Sequence, residues 1–179
     1  MVYVFLADGF EEIEALTPVD MLKRAEIDVT TVSINKTTTV IGAHGIKAIA
    51  DRTTEEISPA NIDMVILPGG LPGADNLRFD KTVNLFIDKA AEENKFICAI
   101  CAAPRILGEK GLLKNKKATC FPGFEKYLIG AECVDLGCIR DGNIITAKSM
   151  GKAIDFSVEI IAAIKGREVA EKIKNAIFA

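Results

Sequence analysis

The sequence predicts an α/β fold in which a doubly wound parallel sheet is covered by helices on both faces. Three short, wholly apolar runs at Val2–Ala7, Met64–Leu67 and Phe96–Ile100 have the length and continuous apolarity of strands buried on both faces. Segments with helical periodicity alternate with these runs, which is typical of a parallel sheet. The 179 residues contain no linker, repeat or low-complexity tract, so we expect a single domain over residues 1–179.

The same periodicities assign the other elements along the chain. Further β segments are expected at Asp28–Ile34, at Ala118–Cys120, as a meander with an Asp141-Gly142-Asn143 turn over Cys133–Ala147, and at Thr37–Ile41 and Ile46–Ala50. We expect the last two to form an excursion outside the main sheet. Helices are expected at Glu11–Glu26, Lys81–Glu93, Phe124–Leu128, Ala153–Lys165 and Glu168–Ile177.

Composition and charge exclude several classes of partner. Lys and Arg number 22 against 25 Asp and Glu, and no basic cluster stands out, so we expect neither specific nucleic acid nor a membrane surface as a partner. Met1–Ala7 is apolar but short and lacks a basic flank, which favours a first strand over a signal peptide. The five cysteines are odd in number and irregularly spaced, which favours reduced thiols and a cytoplasmic location.

One cysteine lies at the junction between a predicted strand and a predicted helix. The run Phe96–Ile100 stops at Cys101, and Pro104 follows at a position that the first turn of a helix tolerates. The unpaired N–H groups and the dipole at the start of a helix both stabilise a thiolate. We therefore expect Cys101 to have a lowered pKa and to act as a nucleophile.

Glycines follow another predicted strand and bring backbone N–H groups to the same edge of the sheet, where ligands of such folds bind. We expect the N–H groups of Gly70 and Ala102 to form an oxyanion hole, with Gly69 as an accessory residue. The alternative for Gly69-Gly70 is a tight turn without a catalytic role. The spacing to Gly73 does not match the dinucleotide pattern G-x-G-x-x-G, so no nicotinamide, flavin or other cofactor is expected.

A glutamate occupies the apolar face of the first helix. At about 100° per residue, Glu14 falls in line with Pro18 and Met21, which belong to the core-facing sector. Burial of a carboxyl disfavours its charged form, so we expect a raised pKa. Glu14 is therefore the predicted acid/base partner of Cys101. The alternative, a helix-start glutamate favoured by the dipole, suits Glu11 better.

The other chemically active residue types give weaker signals. His44 is the only histidine and lies on a turn far along the chain, so it reaches Cys101 only by folding back or from a second subunit; we keep it as an accessory candidate. One histidine and scattered cysteines do not give the spacing of metal ligands, and no metal is expected. Cys98 and Cys101 match C-x-x-C, but residues three apart on a strand point to opposite faces, so we expect no disulfide.

Five segments spread nearly end to end carry a family resemblance: Asp8–Ala15, Pro18–Leu22, Val65–Gly70, Ala99–Pro104 and Ala153–Phe156. They resemble the DJ-1 branch of the ThiJ/PfpI superfamily, and within it the bacterial YajL-like members. The resemblance implies a flavodoxin-like sandwich, similar to class I glutamine amidotransferases, and a homodimer. It also implies a nucleophile-elbow cysteine at Cys101 that oxidises readily to sulfinate, with Glu14 hydrogen-bonded to the sulfur.

Two departures from the family pattern matter. Human-type members have a histidine near the cysteine, and this chain has Phe121 at that position. The YajL-like branch also has an aromatic residue there. Glu14 is then the only evident acid/base group. The intracellular protease branch has a histidine directly after the cysteine, where this chain has Ala102, so we do not expect protease activity.

Two functional hypotheses remain open. In the first, suggested by the resemblance, Cys101 acts without a cofactor on 2-oxoaldehydes or early glycation adducts, in a glyoxalase or deglycase type of reaction that defends against carbonyl and oxidative stress. In the second, the same cysteine is oxidised to sulfinate and serves a redox sensor or redox-regulated chaperone without significant catalysis. The partners would be a small 2-oxoaldehyde or glycated side chains, and a second copy of the chain.

Overall fold

Eleven strands build the sheets of the protein, in a computed structural model that describes residues 1–179. They are numbered β1 to β11 in chain order: Val2–Leu6, Val29–Ser33, Thr39–Ile41, Lys47–Ile49, Arg52–Thr53, Met64–Leu67, Phe96–Ile100, Lys117–Ala118, Glu132–Cys133, Cys138–Asp141 and Ile144–Ala147. The main sheet has the order β10-β11-β7-β6-β1-β2-β5, and only its β10–β11 pair is antiparallel. The predicted parallel sheet is confirmed.

Six α-helices cover the two faces of this sheet. They are numbered α1 to α6 in chain order: Glu12–Arg24, Gly73–Phe79, Lys81–Glu92, Pro104–Glu109, Ala153–Lys165 and Arg167–Ala176. Helices α1, α5 and α6 pack on one face, and α2, α3 and α4 pack on the other. The side chains of β1 alternate between the two faces of the sheet: Val4 and Leu6 pack in the first layer, and Tyr3 and Phe5 pack in the second. None of the helices has the length and apolarity to cross a bilayer.

Several short elements differ from the expectations. Helix α2 was not predicted, because seven residues are too few to show a helical period. The segment Cys133–Ala147 is not one meander: β9 pairs with β8 in a separate parallel sheet, and only β10 and β11 form a hairpin around Gly142. The expected helix Phe124–Leu128 is a 3-10 turn over Glu125–Tyr127. Strands of two residues arise from tertiary pairing, which leaves no local pattern in the sequence.

The excursion formed by β3 and β4 packs on the loop after β1. As predicted, these strands form their own antiparallel pair outside the main sheet. The N–H of Gly9 donates to the carbonyl of Ile41 at 2.7 Å, and the N–H of Ala43 donates to the carbonyl of Phe10 at 2.8 Å. The hairpin therefore fixes the loop that leads from β1 into α1.

The carboxyl ends of β1, β6 and β7 are neighbours at one edge of the sheet. The loop after β1 and the loop after β6 are joined directly, since the N–H of Glu11 donates to the carbonyl of Gly69 at 3.0 Å. Gly70 has a φ of 84°, and a Cβ there would lie 2.5 Å from the carbonyl oxygen of Gly9. Only glycine allows this close approach of the two backbones.

The aromatic cluster between β1 and α3 gives a prediction about stability. Phe5 is fully buried, and its ring meets that of Phe86 edge-on with centroids 5.3 Å apart. Because Phe5→Ala leaves a cavity, it is expected to lower the free energy of unfolding by about 3–5 kcal/mol in urea denaturation. Phe79→Ala is the control, since Phe79 is 71% exposed and should change it by less than about 0.5 kcal/mol. Equal midpoints for the two variants would contradict this packing.

Candidate active site around Cys101

Cys101 occupies a strained backbone position directly after β7. Its φ is 65°, in the left-handed region that a residue with a side chain adopts at a cost of about 1–3 kcal/mol. Two hydrogen bonds hold it there: its N–H donates to the carbonyl of Ala147 at 2.9 Å, and its own carbonyl accepts from the N–H of Phe121 at 2.8 Å. The chain thus turns sharply into α4 and leaves the thiol partly exposed.

Two glycines after β6 form the wall opposite the thiol. A Cβ at Gly69 would lie 2.6 Å from both the Cβ of Cys101 and Oε2 of Glu14, so the absence of a side chain lets these groups meet. The backbone N–H groups of Gly70 and Ala102 interact with the sulfur of Cys101 as hydrogen-bond donors, which lowers the pKa of the thiol. The structure therefore brings together Gly69, Gly70 and Ala102 around Cys101, as the sequence predicts.

Glu14 is buried at the base of the site, with 1% of its surface exposed. Its Oε2 accepts a hydrogen bond from the N–H of Gly69 at 2.9 Å, and its carboxyl also interacts with the Cys101 thiol and the N–H of Met150. Burial raises the pKa of Glu14 to about 7, although these hydrogen bonds act in the opposite direction. The predicted position and raised pKa are therefore found. Met150 was missed, because a backbone donor leaves no signal in the sequence.

The pKa of the Cys101 thiol differs from the expectation. Burial, the charge of Glu14 and the hydrogen bond to its carboxylate raise the pKa of Cys101 to about 12 and outweigh the two N–H groups. The lowered pKa expected from a helix start is therefore wrong for this thiol beside an ionised Glu14. The physical reason is that burial of the thiol and the adjacent Glu14 carboxylate both disfavour a thiolate, and their effect on the pKa exceeds that of the two N–H groups near the start of α4.

The two groups titrate as a pair that holds a single proton over a wide pH range. The first proton leaves near pH 7 and the second near pH 12. Between these values the negative charge lies mainly on Glu14 and the proton on the Cys101 thiol. When the remaining proton lies on Glu14, the sulfur of Cys101 is a thiolate facing two N–H groups. The pair then presents a nucleophile and a proton donor side by side.

His44 lies elsewhere and pairs with carboxylates. Its Nδ1 is 2.9 Å from Oε2 of Glu12 and 3.8 Å from Oε1 of Glu11, and its side chain is 66% exposed. Glu12 raises the pKa of His44. These three residues offer ligand atoms within 4.8 Å of one another, a grouping that sequence spacing did not reveal. The partner of Cys101 is thus a carboxyl group, and no contact joins His44 to the sulfur.

Cys98 is fully buried, and all five cysteines are free thiols. We expected Cys98 and Cys101 on opposite faces, but both pack against the layer of α1 and α5. The reason is that Cys101 lies beyond the strand with a positive φ, so the alternation of β7 does not extend to it. Burial raises the pKa of Cys98 well above its usual range, which leaves it inert beside the site.

Fold and site together define a class of protein: α/β sandwiches that carry a partly exposed cysteine on the turn after a central parallel strand, beside a buried carboxyl. The sequence comparisons place the chain within that class. The chain belongs to the DJ-1/PfpI family, whose model matches residues 1–163.

Two relatives illustrate the range of the family. Protein DJ-1 homolog B of Arabidopsis thaliana is 35% identical over 178 residues, which are 98% of this chain and 41% of the Arabidopsis protein. A protein named deglycase from Pyrococcus abyssi is 29% identical over 166 residues, which are 92% of this chain and 99% of that protein. The chain thus spans less than half of the plant relative and nearly all of the archaeal one.

Solved structures confirm the flavodoxin-like fold and the DJ-1 branch. A cysteine-to-alanine mutant of a DJ-1 superfamily protein from Salmonella typhimurium has a TM-score of 0.93 and 35% identity, covering 99% of this chain and 97% of that one. Oxidized DJ-1 of Toxoplasma gondii has a TM-score of 0.95 and 29% identity, with the same coverage. Closeness to YajL-like members stays a prediction.

The shared proton predicts a specific pH dependence of thiol reactivity. Below about pH 7 both groups are protonated, and above it Glu14 is ionised and can accept the proton of the Cys101 thiol, so alkylation of Cys101 by iodoacetamide should rise through this range. Peptide mass spectrometry measures the rate, with exposed Cys133 as the reference. Glu14→Gln keeps the size of the side chain and should remove the step near pH 7. A wild-type rate that is flat across pH 7 would contradict the pairing.

Proposed function

We propose that the protein is a cysteine-dependent, cofactor-free enzyme that acts on 2-oxoaldehydes or early glycation adducts. The observation that carries the proposal is the contact of the Cys101 thiol with a buried Glu14 whose pKa is raised to about 7. The N–H groups of Gly70 and Ala102 face the same sulfur. A nucleophile, a proton carrier and two oxyanion donors are the groups needed for reactions at a carbonyl carbon.

The reaction with methylglyoxal can be written with these groups alone. The thiolate of Cys101 adds to the aldehyde carbon, and the oxygen takes up the resulting charge near Gly70 and Ala102 before it is protonated, giving a hemithioacetal. Glu14, now ionised, removes the proton from that carbon while the neighbouring ketone oxygen becomes protonated, which gives an enediol. Glu14 then returns the proton to the neighbouring carbon, and the hydroxyl on the sulfur-bearing carbon loses its proton, which yields the thioester of lactate. Water cleaves the thioester to lactate and restores the thiol. No external oxidant or reductant is needed.

The archaeal relative supports extending the substrate class to glycation adducts. The Pyrococcus protein is named a deglycase and matches nearly full-length. An early adduct of an amine or thiol with a 2-oxoaldehyde releases the aldehyde carbon to the same nucleophile. The partly exposed position of Cys101 is compatible with a glycated side chain as well as with a small molecule. Substrates of both sizes therefore belong to the proposal.

A second candidate function is redox sensing by the same sulfur. The Toxoplasma neighbour was solved as the oxidized protein, which favours this candidate. In this chain, oxygens added to Cys101 would meet the N–H groups of Gly70 and Ala102, and a protonated Glu14 would donate to them. A sulfinate would then be stabilised where the oxyanion is stabilised in the first candidate.

For assembly and location, we propose a homodimer in the cytoplasm. Exposed apolar side chains on α1 and at the start of α5 line a groove of about 850 Å³; they include Ile13, Leu16, Met150 and Ile154. Such a contiguous apolar surface is typical of an interface between subunits. Five free cysteines suit a reducing compartment.

Lactate formation from methylglyoxal tests the enzyme hypothesis. Wild type is expected to turn over, and Cys101→Ala should reduce turnover to background because no thioester can form. Glu14→Gln should reduce kcat by about 10²–10⁴-fold, since the proton carrier is lost. Cys98→Ala is the control and should retain activity, because Cys98 is buried away from solvent. Turnover by wild type no greater than that by Cys101→Ala would refute this reaction.

Mild peroxide treatment tests the sensor hypothesis. Selective addition of two oxygens at Cys101, detected by mass spectrometry, is expected, and Glu14→Gln should change the yield because the proton donor to the sulfinate is lost. Uniform oxidation of Cys101 and exposed Cys133 would show that the site has no special reactivity.

A further inference from the structure

We propose that Arg105 is a positioning residue, whose buried guanidinium joins α4, on which it lies, to the two other chain segments that surround Cys101. The proposal deepens the proposed function, since it concerns the geometry of the same nucleophile. Arg105 lies in the first turn of α4, four residues after the cysteine.

The burial of Arg105 is unusual for a charged side chain. Only 9% of the side chain is exposed, and neither Nε nor Nη2 has a partner with hydrogen-bond geometry. Nη2 forms an ion pair with the carboxylate of Asp75, whose side chain is 39% exposed. Burying a guanidinium with an unsatisfied donor is unfavourable, so solvation does not explain its position. Its contacts with neighbouring segments give the better explanation.

The first segment that Arg105 anchors follows β8. The guanidinium carbon lies 5.8 Å from the ring centroid of Phe124 and 5.7 Å from that of Tyr127, within the range of cation–π attraction. This segment begins with Phe121, whose N–H donates to the carbonyl of Cys101 at 2.8 Å. Arg105 therefore fixes the segment that holds the backbone of the nucleophile in its strained conformation.

The second segment leads from Gly70 into α2. Asp75 lies in the first turn of α2, and the N–H of Ala74 beside it donates to the carbonyl of Gly70 at 2.8 Å. The ion pair between Asp75 and Arg105 thus connects Gly70, one of the two donors to the sulfur, to the start of α4.

The third segment is α4 itself, which begins shortly after Ala102, the other donor. One side chain therefore sets the distance between the two donors.

Another ion pair joins the same helices at their far ends. Arg78 in the last turn of α2 contacts Glu109 at the end of α4. Both of its side chains are more exposed than Arg105, and both are less exposed than Asp75. The Asp75–Arg105 pair is also nearer to the sulfur along the chain. A displacement of about 1 Å at a reacting group can reduce a rate by about 10²-fold. We therefore expect the ion pair between Asp75 and Arg105 to control the reactivity of Cys101.

The rate and pH profile of Cys101 alkylation test the proposal. Arg105→Met and Asp75→Asn should each lower the rate at neutral pH by about three- to tenfold, the effect of weakening one hydrogen bond to the sulfur. The pH profiles of these variants should move to higher pH. The N–H groups of Gly70 and Ala102 stabilise the thiolate, whereas the charge of Glu14 raises the pKa of Cys101 and the charge of Glu11 raises the pKa of Glu14. Arg105→Lys keeps the charge and should restore part of the rate.

The controls separate positioning from general loss of stability. Arg167→Met removes a bidentate ion pair with Glu159 between α5 and α6, and should leave rate and profile unchanged. Asp75→Asn alters a half-exposed side chain and serves if Arg105→Met fails to fold. A wild-type rate and profile in Asp75→Asn would overturn the proposal, as would an equal effect of Arg167→Met.

The measurement is independent of the proposed function. Alkylation reports on the thiol without any substrate. Absence of lactate formation by a wild type that shows the expected alkylation differences would refute the enzyme hypothesis and leave the role of Arg105 supported. Lactate formation together with unchanged alkylation in the variants would refute only the role of Arg105.

Discussion

The burial of a carboxyl and a thiol in contact with each other is the constraint on which the site depends. Two acidic groups in a poorly solvated space resist a double charge, so the pKa of Glu14 is raised to about 7 and that of Cys101 to about 12. The glycine at position 69 makes the contact possible, because any side chain there would collide with both Glu14 and Cys101. The contact between Cys101 and Glu14 therefore depends on the close packing of the loop that contains Gly69.

The fold supplies the conditions for this contact. Three neighbouring parallel strands end together, and each contributes one part: β1 leads to Glu14, β6 to Gly69 and Gly70, and β7 to Cys101. The strained backbone of Cys101 is held from both sides, by Ala147 of β11 and by Phe121. Strain of this kind persists only where the surroundings determine it, and it points the thiol into the space between the loops.

The same geometry explains why catalysis and oxidation are both plausible uses of one sulfur. Two N–H groups stabilise negative oxygen, whether it comes from a carbonyl under attack or from an oxidised sulfur. A carboxyl with a pKa near 7 can donate a proton to either species. The discriminating factor is the species that reaches Cys101, and the family contains neighbours described by both kinds of property.

Local sequence patterns were enough to predict the sheet, most helices and the meeting of Cys101 with Glu14. These features depend on local periodicity and on residue types at strand ends, which a single chain displays directly. Tertiary structure decided what local patterns do not encode: helix α2, the two-residue strands, the approach of His44 to Glu12, and the N–H of Met150 at Glu14. It also reversed the expected pKa shift of Cys101, because a thiol's charge depends on everything packed around it, while the helix start is only one contribution.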